Sequence, residues 1–277
     1  MIVVTGATGN VGRVLVQTLT GLGEEVTAVS RGQAPVPDGV RHHRADLGRP
    51  GALEAPLRGA KALFLLVSGA GAHVDAGELT AVVRRSGVER VVLLSSQAAG
   101  TRPQSVSHAP LRKLEDAVRA ASTDWTILRP GGFATNAYAW AQTVRDRREV
   151  AAPFADVGLP VIDPDDIAAV AAAALTQDGH AGVVHELTGP ALSTPRERAQ
   201  ALAEALGEPV RFVEQTPEQA RAQLLTFMPE PVVEGTLDIL GRPTAAEQQI
   251  SPAVEQILGR PPRTFGDWAR RNVAAFA

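Results

Sequence analysis

The chain has 277 residues, 44% of them hydrophobic, which suits one large domain or one domain with a small appendage. It has no cysteine, which excludes disulfides, thiolate metal sites and a cysteine nucleophile. A formal net charge of −3 with scattered basic residues argues against a nucleic-acid partner. The sequence opens without the features of a signal peptide, and no apolar run approaches the roughly 18 residues of a membrane helix. We therefore expect a cytoplasmic protein without membrane contact.

Apolar, β-rich runs alternate along the chain with segments whose apolar residues recur at helical spacing. The runs lie near residues 1–5, 25–30, 40–45, 62–67, 90–95 and 124–129. A seventh run, 183–187, is expected to return to the same sheet. This alternation predicts an α/β fold with a doubly wound parallel sheet and right-handed crossovers.

Three glycines follow the first predicted strand and open the first predicted helix. Gly6 permits a tight turn, Gly9 lets a pyrophosphate approach the backbone, and Gly12 lets the helix pack close to the strand. The N-terminus of the helix then faces the anion. An ordinary strand-to-helix turn is the alternative, but the pattern favours a dinucleotide-binding Rossmann fold.

The end of the second predicted strand distinguishes between the two nicotinamide cofactors. Ser30 and Arg31 stand where an acidic residue would bind the ribose 2′-hydroxyl of NAD. Arg31 can place a planar cation against a 2′-phosphate, and Arg13 could assist from the first helix. Asp46 and Leu47 are expected beside the adenine. Alternatively, each arginine is a solvated surface charge and Asp46 is a helix cap. The pattern as a whole predicts NADP(H).

The alternation loosens after Pro130-Gly131-Gly132, where proline becomes frequent. We therefore predict an NADP-binding Rossmann core over residues 1–132. Residues 133–277 are predicted to form a mixed segment that returns one or more strands to the sheet. With a small, mostly helical C-terminal part, this segment would cover the substrate pocket.

Four motifs carry a family resemblance: Thr5-Gly-Ala-Thr-Gly-Asn-Val-Gly12, Ser95-Ser96, Leu128-Arg-Pro-Gly-Gly-Phe133 with Asn136, and Asp163-Pro-Asp-Asp-Ile-Ala168. Together they resemble the NmrA-like branch of the atypical short-chain dehydrogenase/reductases, over nearly the whole chain. This branch includes quinone reductase-like enzymes, ergot-alkaloid reductases that act on iminium carbons, and redox-sensing proteins without known turnover.

The resemblance also implies positions around the nicotinamide. Val67, Ser68, Ser95 and Ser96 would border its ribose, and residues 130–133 would contact the ring. The predicted cofactor-binding residues are Gly6, Thr8, Gly9, Asn10, Val11, Gly12, Ser30, Arg31, Asp46, Leu47, Val67, Ser68, Ser95, Ser96, Pro130, Gly131, Gly132 and Phe133.

The chain lacks the Tyr-x-x-x-Lys pair of typical relatives. In those relatives the tyrosine supplies an acid and the lysine is the cation that activates it. Counting back from Lys113 puts Ala109 at the tyrosine position. A register anchored on Glu115 instead puts Ser107 and Leu111 at the two positions. Neither register restores the pair.

His108 is the candidate proton donor, because an imidazole can donate near neutral pH, although a lone histidine is more often structural or exposed. Tyr138, the chain's one tyrosine, either lines a substrate pocket or packs as an aromatic residue. The predicted pocket residues are Phe133, Asn136, Tyr138, Trp140, Phe227 and Met228.

These features predict an NADPH-dependent reductase that transfers hydride to a small activated acceptor, such as a quinone, an iminium ion or an enone. The alternative is a non-catalytic NADP(H) sensor that changes its protein partner with cofactor state. No H-x-x-x-H motif or acidic cluster completes a metal site, so no metal is expected. The expected partner is a small-molecule substrate, and the sequence is compatible with an oligomer.

Overall fold

The computed structural model describes residues 1–122 and 124–277, which form nine strands and thirteen α-helices. The strands are β1 (Ile2–Thr5), β2 (Val26–Ser30), β3 (Arg41–Arg44), β4 (Ala62–Leu66), β5 (Arg90–Leu94), β6 (Asp124–Pro130), β7 (Glu149–Ala152), β8 (Val183–Leu187) and β9 (Arg211–Glu214). The helices are α1 (Asn10–Gly21), α2 (Glu54–Leu57), α3 (Ala76–Ser86), α4 (Gln97–Thr101), α5 (Ala109–Ala121), α6 (Ala141–Arg147), α7 (Pro164–Thr176), α8 (Pro195–Leu206), α9 (Pro217–Leu224), α10 (Glu230–Gly241), α11 (Ala245–Gln248), α12 (Ala253–Leu258) and α13 (Phe265–Arg271).

Seven strands form one parallel sheet in the order β3-β2-β1-β4-β5-β6-β8. The chain reverses direction across the sheet between β1 and β4, and such a switch point opens a crevice at the carboxyl ends of the strands. The predicted doubly wound Rossmann sheet is confirmed, with β8 as an edge strand. The short parallel pair β7-β9 lies outside this sheet and was not predicted.

Helices cover both faces of the sheet. One core contains Val4, Leu15 and Phe64 together with residues of α7, and the other contains Val3, Leu63 and residues of α3 and α5. α7 carries alanines on the face that meets α1, and small side chains let the two helices pack closely. No helix in the described ranges is long and apolar enough to cross a membrane.

The acidic cap of α7 has a second role. Asp163 accepts a hydrogen bond from the backbone N–H of Asp165 at 3.0 Å, and its carboxylate also pairs with Arg271. Asp166 is fully buried and accepts hydrogen bonds at 2.7 Å from both Arg260 and Arg263. These ion pairs fasten the C-terminal segment to the first turn of α7. Removing both arginines would leave the buried carboxylate of Asp166 without a counter-charge, which is unfavourable.

Two histidines meet at the edge of the sheet. Nδ1 of His180 lies 3.2 Å from Nε2 of His185 in β8. One nitrogen must donate and the other accept, so the contact requires at least one unprotonated nitrogen. Burial, and then the charge of Arg90, lowers the pKa of His180; burial, and then His180, lowers the pKa of His185.

The free energy of unfolding should therefore fall as the pH decreases from about 7.5 to about 6. Histidines of the unfolded chain take up protons near pH 6.5, whereas the folded protein resists protonation at these sites, so acid favours unfolding. Urea unfolding at several pH values would measure this. A His180→Asn/His185→Asn double variant should show a weaker pH dependence, and an unchanged dependence would contradict the prediction.

Candidate active site

The glycine turn after β1 opens into a cavity of about 310 Å³, here called the phosphate-loop cavity. It lies at the carboxyl ends of the central strands, where doubly wound sheets bind their ligands. Eight of the predicted cofactor residues line it: Gly6, Thr8, Gly9, Ser30, Arg31, Asp46, Leu47 and Ser68. The structure brings these residues together, and their contacts with a cofactor remain a prediction.

Backbone geometry explains two of the three glycines. Gly6 has a φ of 64°, and a Cβ there would lie 2.8 Å from Cδ2 of Leu66. At Gly12 a Cβ would collide with the carbonyl oxygen of Gly6, so α1 could not approach the turn. Gly9 has an ordinary φ of −83°, and a Cβ there would lie 3.3 Å from the Gly6 oxygen. The turn would therefore accept a Cβ at Gly9 more easily than at Gly6 or Gly12. This is expected if Gly9 is small in order to leave room for a ligand.

Helix α1 supplies donors to the same turn. Its first three residues, Asn10, Val11 and Gly12, have the N–H groups that an α-helix leaves without intrahelical partners. These groups and the helix dipole suit a pyrophosphate. Val11 and Gly12 are buried, so the Val11 side chain serves packing, and any cofactor contact of either residue would come from the backbone.

Arg31 stands at the rim of the phosphate-loop cavity on an ordered turn. Its carbonyl oxygen accepts a hydrogen bond from Nε of Arg44 at 2.8 Å. The Ser30 hydroxyl donates to the Gly32 oxygen at 2.7 Å, so Nε2 of His42, 2.8 Å away, donates to Ser30. The turn thus holds two exposed arginines together. The sequence did not indicate Arg44, because strand position alone does not show which turn its side chain reaches.

A second cavity, of about 260 Å³, continues along the sheet edge and is here called the central cavity. Leu66 lines both cavities, so they adjoin. The predicted residues that line it are Val67, Ser95, Ser96, Pro130, Gly131 and Phe133.

A buried ion pair supports this cavity from within. Glu115 accepts hydrogen bonds from the Ser95 hydroxyl at 2.6 Å and from Nη2 of Arg129 at 2.6 Å. Burial raises the pKa of Glu115, but the hydrogen bonds from Arg129 and Ser95 outweigh it and hold the pKa below its usual value. Because the Ser95 proton is committed to this carboxylate, Ser95 is poorly placed to donate to a ligand.

A third cavity, of about 220 Å³, lies beneath α10 and is here called the α10 cavity. Ser96, His108, Pro130 and Gly131 line both it and the central cavity. The predicted residues Gly132 and Asn136 also line it. Its outer wall consists of apolar and hydroxyl side chains of α10: Val232, Thr236, Ile239 and Leu240.

Arg102 positions the C-terminal end of α10. Its guanidinium pairs with Asp238, donates from Nε to buried Glu247 at 2.7 Å, and donates to the Arg242 carbonyl oxygen at 2.9 Å. Gly235, one turn before Asp238, allows close approach of the loop after Arg102, since a Cβ there would lie 2.7 Å from the Ser107 hydroxyl. α10 is therefore a fixed wall against the loop that carries His108.

The candidate proton donor His108 lies where the central and α10 cavities meet. Its Nδ1 is 3.1 Å from the hydroxyls of both Ser105 and Ser107. Burial, and then the charges of Arg112 and Arg102, lowers the pKa of His108, so the ring is neutral at neutral pH. A hydroxyl that donates to Nδ1 places the ring proton on Nε2, the nitrogen left for a ligand.

The two registers for the missing acid pair differ in location. Ser107 lines the α10 cavity and Leu111 lines the central cavity, whereas Lys113 is exposed on α5. The register anchored on Glu115 therefore faces the cavities. Neither of its two side chains can act as a tyrosine and lysine would.

Four of the predicted pocket residues lie elsewhere. The Tyr138 hydroxyl donates to Oδ1 of Asn272 at 2.6 Å, and its ring packs 5.1 Å from that of Trp268. Trp140 packs against the same apolar cluster. Phe227 is 62% exposed, and neither it nor the half-buried Met228 lines the three cavities described here. Tyr138 thus has a packing role, because Trp268 and Phe276 of the C-terminal segment are its aromatic partners, and the Trp140 ring lies beside the guanidinium of Arg198.

Other cavity residues lacked a sequence signal. His73 lines the phosphate-loop cavity, and buried Gln97 lines the α10 cavity. The sequence pattern can place Gln97 at the start of a helix after a strand, but it does not show that the side chain faces a cavity. Within the described ranges, no group of three or more histidine, cysteine, aspartate or glutamate side chains could hold a metal ion.

A parallel sheet with a glycine turn at its switch point and three adjoining cavities along its carboxyl edge defines a dinucleotide-binding α/β protein. Residues 6–178 match the profile of a family described as NAD(P)H-binding. The chain is 36% identical to a (4-alkanoyl-5-oxo-2,5-dihydrofuran-3-yl)methyl phosphate reductase from Streptomyces griseus, over 100% of this chain and 99% of that protein.

Two further proteins are similar over their whole length. An NAD(P)H azoreductase from Xenophilus azovorans is 31% identical, over 100% of this chain and 99% of the relative. The fold superposes with a TM-score of 0.81 on the NADPH-dependent quinone oxidoreductase of Escherichia coli solved with NADPH, at 23% identity and over 98% and 99% of the two chains.

The chain belongs to the NAD(P)H-binding family, and its resemblance to the NmrA-like atypical short-chain dehydrogenase/reductases is confirmed. It is an NAD(P)H-dependent oxidoreductase. This finding favours the enzyme over the non-catalytic sensor.

Proposed function

We propose that this protein is an NADPH-dependent reductase that transfers hydride to a small conjugated or charged acceptor, such as a quinone, an iminium ion or an enone. The observation that carries the proposal is the continuity of the three cavities, which share Leu66 at one junction and His108 at the next. This arrangement can hold a dinucleotide along the sheet edge and a small substrate beneath α10.

The residues present fit such a cofactor. Gly9 and the first N–H groups of α1 would hold the pyrophosphate, and Arg31 with Arg44 would meet the 2′-phosphate. The central cavity would take the nicotinamide, which supplies the hydride when bound. Pro130 and Phe133 line this cavity and would help to exclude water from the transfer.

Positioning by the chain's own residues would then provide most of the catalysis. Arg102 fixes the apolar wall of α10, which would hold the acceptor against the central cavity. His108 and Asn136 can donate hydrogen bonds to an acceptor atom that gains electron density.

The named activities of the relatives support a conjugated acceptor. They concern a quinone, an azo compound and a dihydrofuranone whose ring double bond is conjugated with two carbonyls. Incubation with NADPH and a soluble quinone or enone should give acceptor-dependent NADPH oxidation with formation of the reduced product. Failure to turn over quinones, enones and iminium ions alike would contradict the proposal.

Cofactor preference gives a second test. Arg31→Ala should weaken NADPH binding by about 1–3 kcal/mol and barely affect NADH, because one charge-assisted contact with the 2′-phosphate is lost. Equilibrium titration with both cofactors would measure this, and Arg44→Ala should change binding in the same direction.

Arg41→Ala is the matched control for these variants. Arg41 is also an exposed arginine of β3, but it pairs with Glu25, whereas Arg44 donates to the carbonyl oxygen of Arg31. Its removal should leave both affinities unchanged. Equal affinity of the unmodified protein for NADPH and NADH would show that the assignment of Arg31 is wrong.

A further inference from the structure

A fourth cavity, of about 400 Å³, lies outside the candidate active site and is here called the Arg198 cavity. The loop before α8, the first turns of α8 and the start of α13 form its walls. Val161 lines this cavity, whereas Leu159 and Pro160 line the α10 cavity. Segment 159–161 therefore separates the two cavities.

Arg198 is the unusual residue of this cavity. Its Nε donates to the Thr194 carbonyl oxygen at 3.3 Å, and its guanidinium carbon lies 5.8 Å from the centre of the Trp140 ring. Among residues 1–122 and 124–277, no carboxylate lies within ion-pair distance of it, and its two terminal nitrogens have no hydrogen-bond acceptor. The guanidinium thus keeps unused donors in a cavity that it lines.

Other arginines of the protein with little exposed side chain have carboxylate partners. Arg102 and Arg129, which are largely buried, pair with the buried carboxylates of Glu247 and Glu115. Burial lowers the pKa of Arg198 to about 10, in spite of the nearby charge of Glu197, whereas pairing raises the pKa of Arg102 and Arg129. Arg198 is half-buried and its terminal nitrogens open into the cavity, so the cation is partly withdrawn from water without a counter-charge, which is unfavourable.

The surroundings indicate which ligand would complete the site. Apolar side chains of Val161, Leu192 and Phe265 line the cavity beside the guanidinium. Two carboxylates also line it, but both residues are exposed and both have partners. Glu197 accepts from the Thr194 backbone N–H at 2.8 Å, and Glu204 accepts from Gln200 at 3.3 Å. These carboxylates would repel a dianion more strongly than a single charge.

We propose that the Arg198 cavity binds a small organic carboxylate, with its apolar body against Val161, Leu192 and Phe265 and its carboxylate on the guanidinium of Arg198. A planar guanidinium can bind a carboxylate through two parallel hydrogen bonds. The site is separate from the cavities assigned to cofactor and substrate, so the proposal does not depend on the reduction chemistry.

The test uses the whole protein with octanoate and benzoate as probes, titrated by calorimetry. Both carboxylates should bind saturably at millimolar or lower concentration, and Arg198→Met should weaken this binding about 10- to 100-fold, as expected for loss of a charged hydrogen bond. Arg196→Met is the matched control, because Arg196 lies on the same helix but is exposed and pairs with Asp156 at 2.9 Å. It should bind the probes as the unmodified protein does.

A thermal melt without ligand distinguishes a binding role from a structural one. Arg198→Met should unfold at the same temperature as the unmodified protein or a higher one, because an unpaired cation is replaced by an apolar side chain of similar length. No saturable binding by the unmodified protein, or undiminished binding by Arg198→Met, would overturn the proposal. If octanol bound as tightly as octanoate, the proposed contact between carboxylate and guanidinium would be wrong. If phenyl phosphate bound more tightly than benzoate, the choice of a carboxylate ligand would be wrong.

Discussion

A Gly9→Val variant should lose at least about 100-fold in affinity for both NADPH and NADH. Gly9 lines the phosphate-loop cavity directly before α1, where a branched side chain would occupy the space needed by a pyrophosphate. Both cofactors should be affected equally, because the pyrophosphate is common to them. Equilibrium titration with each cofactor would measure the loss.

Folding can be separated from binding in this experiment. Gly9 has an ordinary φ and a Cβ there would meet the Gly6 oxygen at 3.3 Å, so we expect the variant to fold. Gly9→Ala provides a milder change. Gly21→Val at the other end of α1 is the control, because nothing lies within 4 Å of a Cβ there. A folded Gly9→Val protein that still binds NADPH tightly would show that the dinucleotide lies elsewhere.

The strands and the glycine turn could be predicted because their signals are local. Each β-rich run is followed by a turn or a helical pattern, and this alternation predicts a parallel sheet with right-handed crossovers. The predicted seventh strand, 183–187, matches β8 at both ends. Most predicted cofactor residues also line the cavities, because residues at strand ends share one edge of the sheet.

The outer part of the site could not be predicted, because it depends on contacts between distant segments. Arg102 meets Glu247 across 145 positions, and Tyr138 meets Asn272 across 134. Neither partner is marked by a motif, so the sequence predicted that the C-terminal part covers the pocket but not which helix forms its wall, nor that Tyr138 packs away from it. The sequence did not indicate Arg198 either, because a lone arginine in a helical pattern usually points to solvent.

Plain aliphatic ketones should be poor substrates, with rates about 10²- to 10⁴-fold below those of quinones, enones or iminium ions. Reducing a plain ketone places charge on an oxygen that needs an acid. Ser107 and Leu111 line the cavities, and the family resemblance implies that they occupy the positions of the tyrosine and lysine of typical relatives. Conjugated acceptors spread the added charge, and an iminium ion already carries the charge that hydride neutralises. A panel of acceptors assayed with NADPH would measure the ratio.

The role of His108 follows from the same reasoning. Its lowered pKa makes it a neutral hydrogen-bond donor and not a charged acid, so His108→Ala should reduce turnover of a quinone only modestly, by about tenfold or less. Tyr138→Phe is the control and should leave the rate unchanged, because its hydroxyl is bonded to Asn272. If plain ketones are reduced efficiently and His108→Ala lowers their rate by several orders of magnitude, His108 is a full replacement for the missing tyrosine, and catalysis does not rest mainly on positioning.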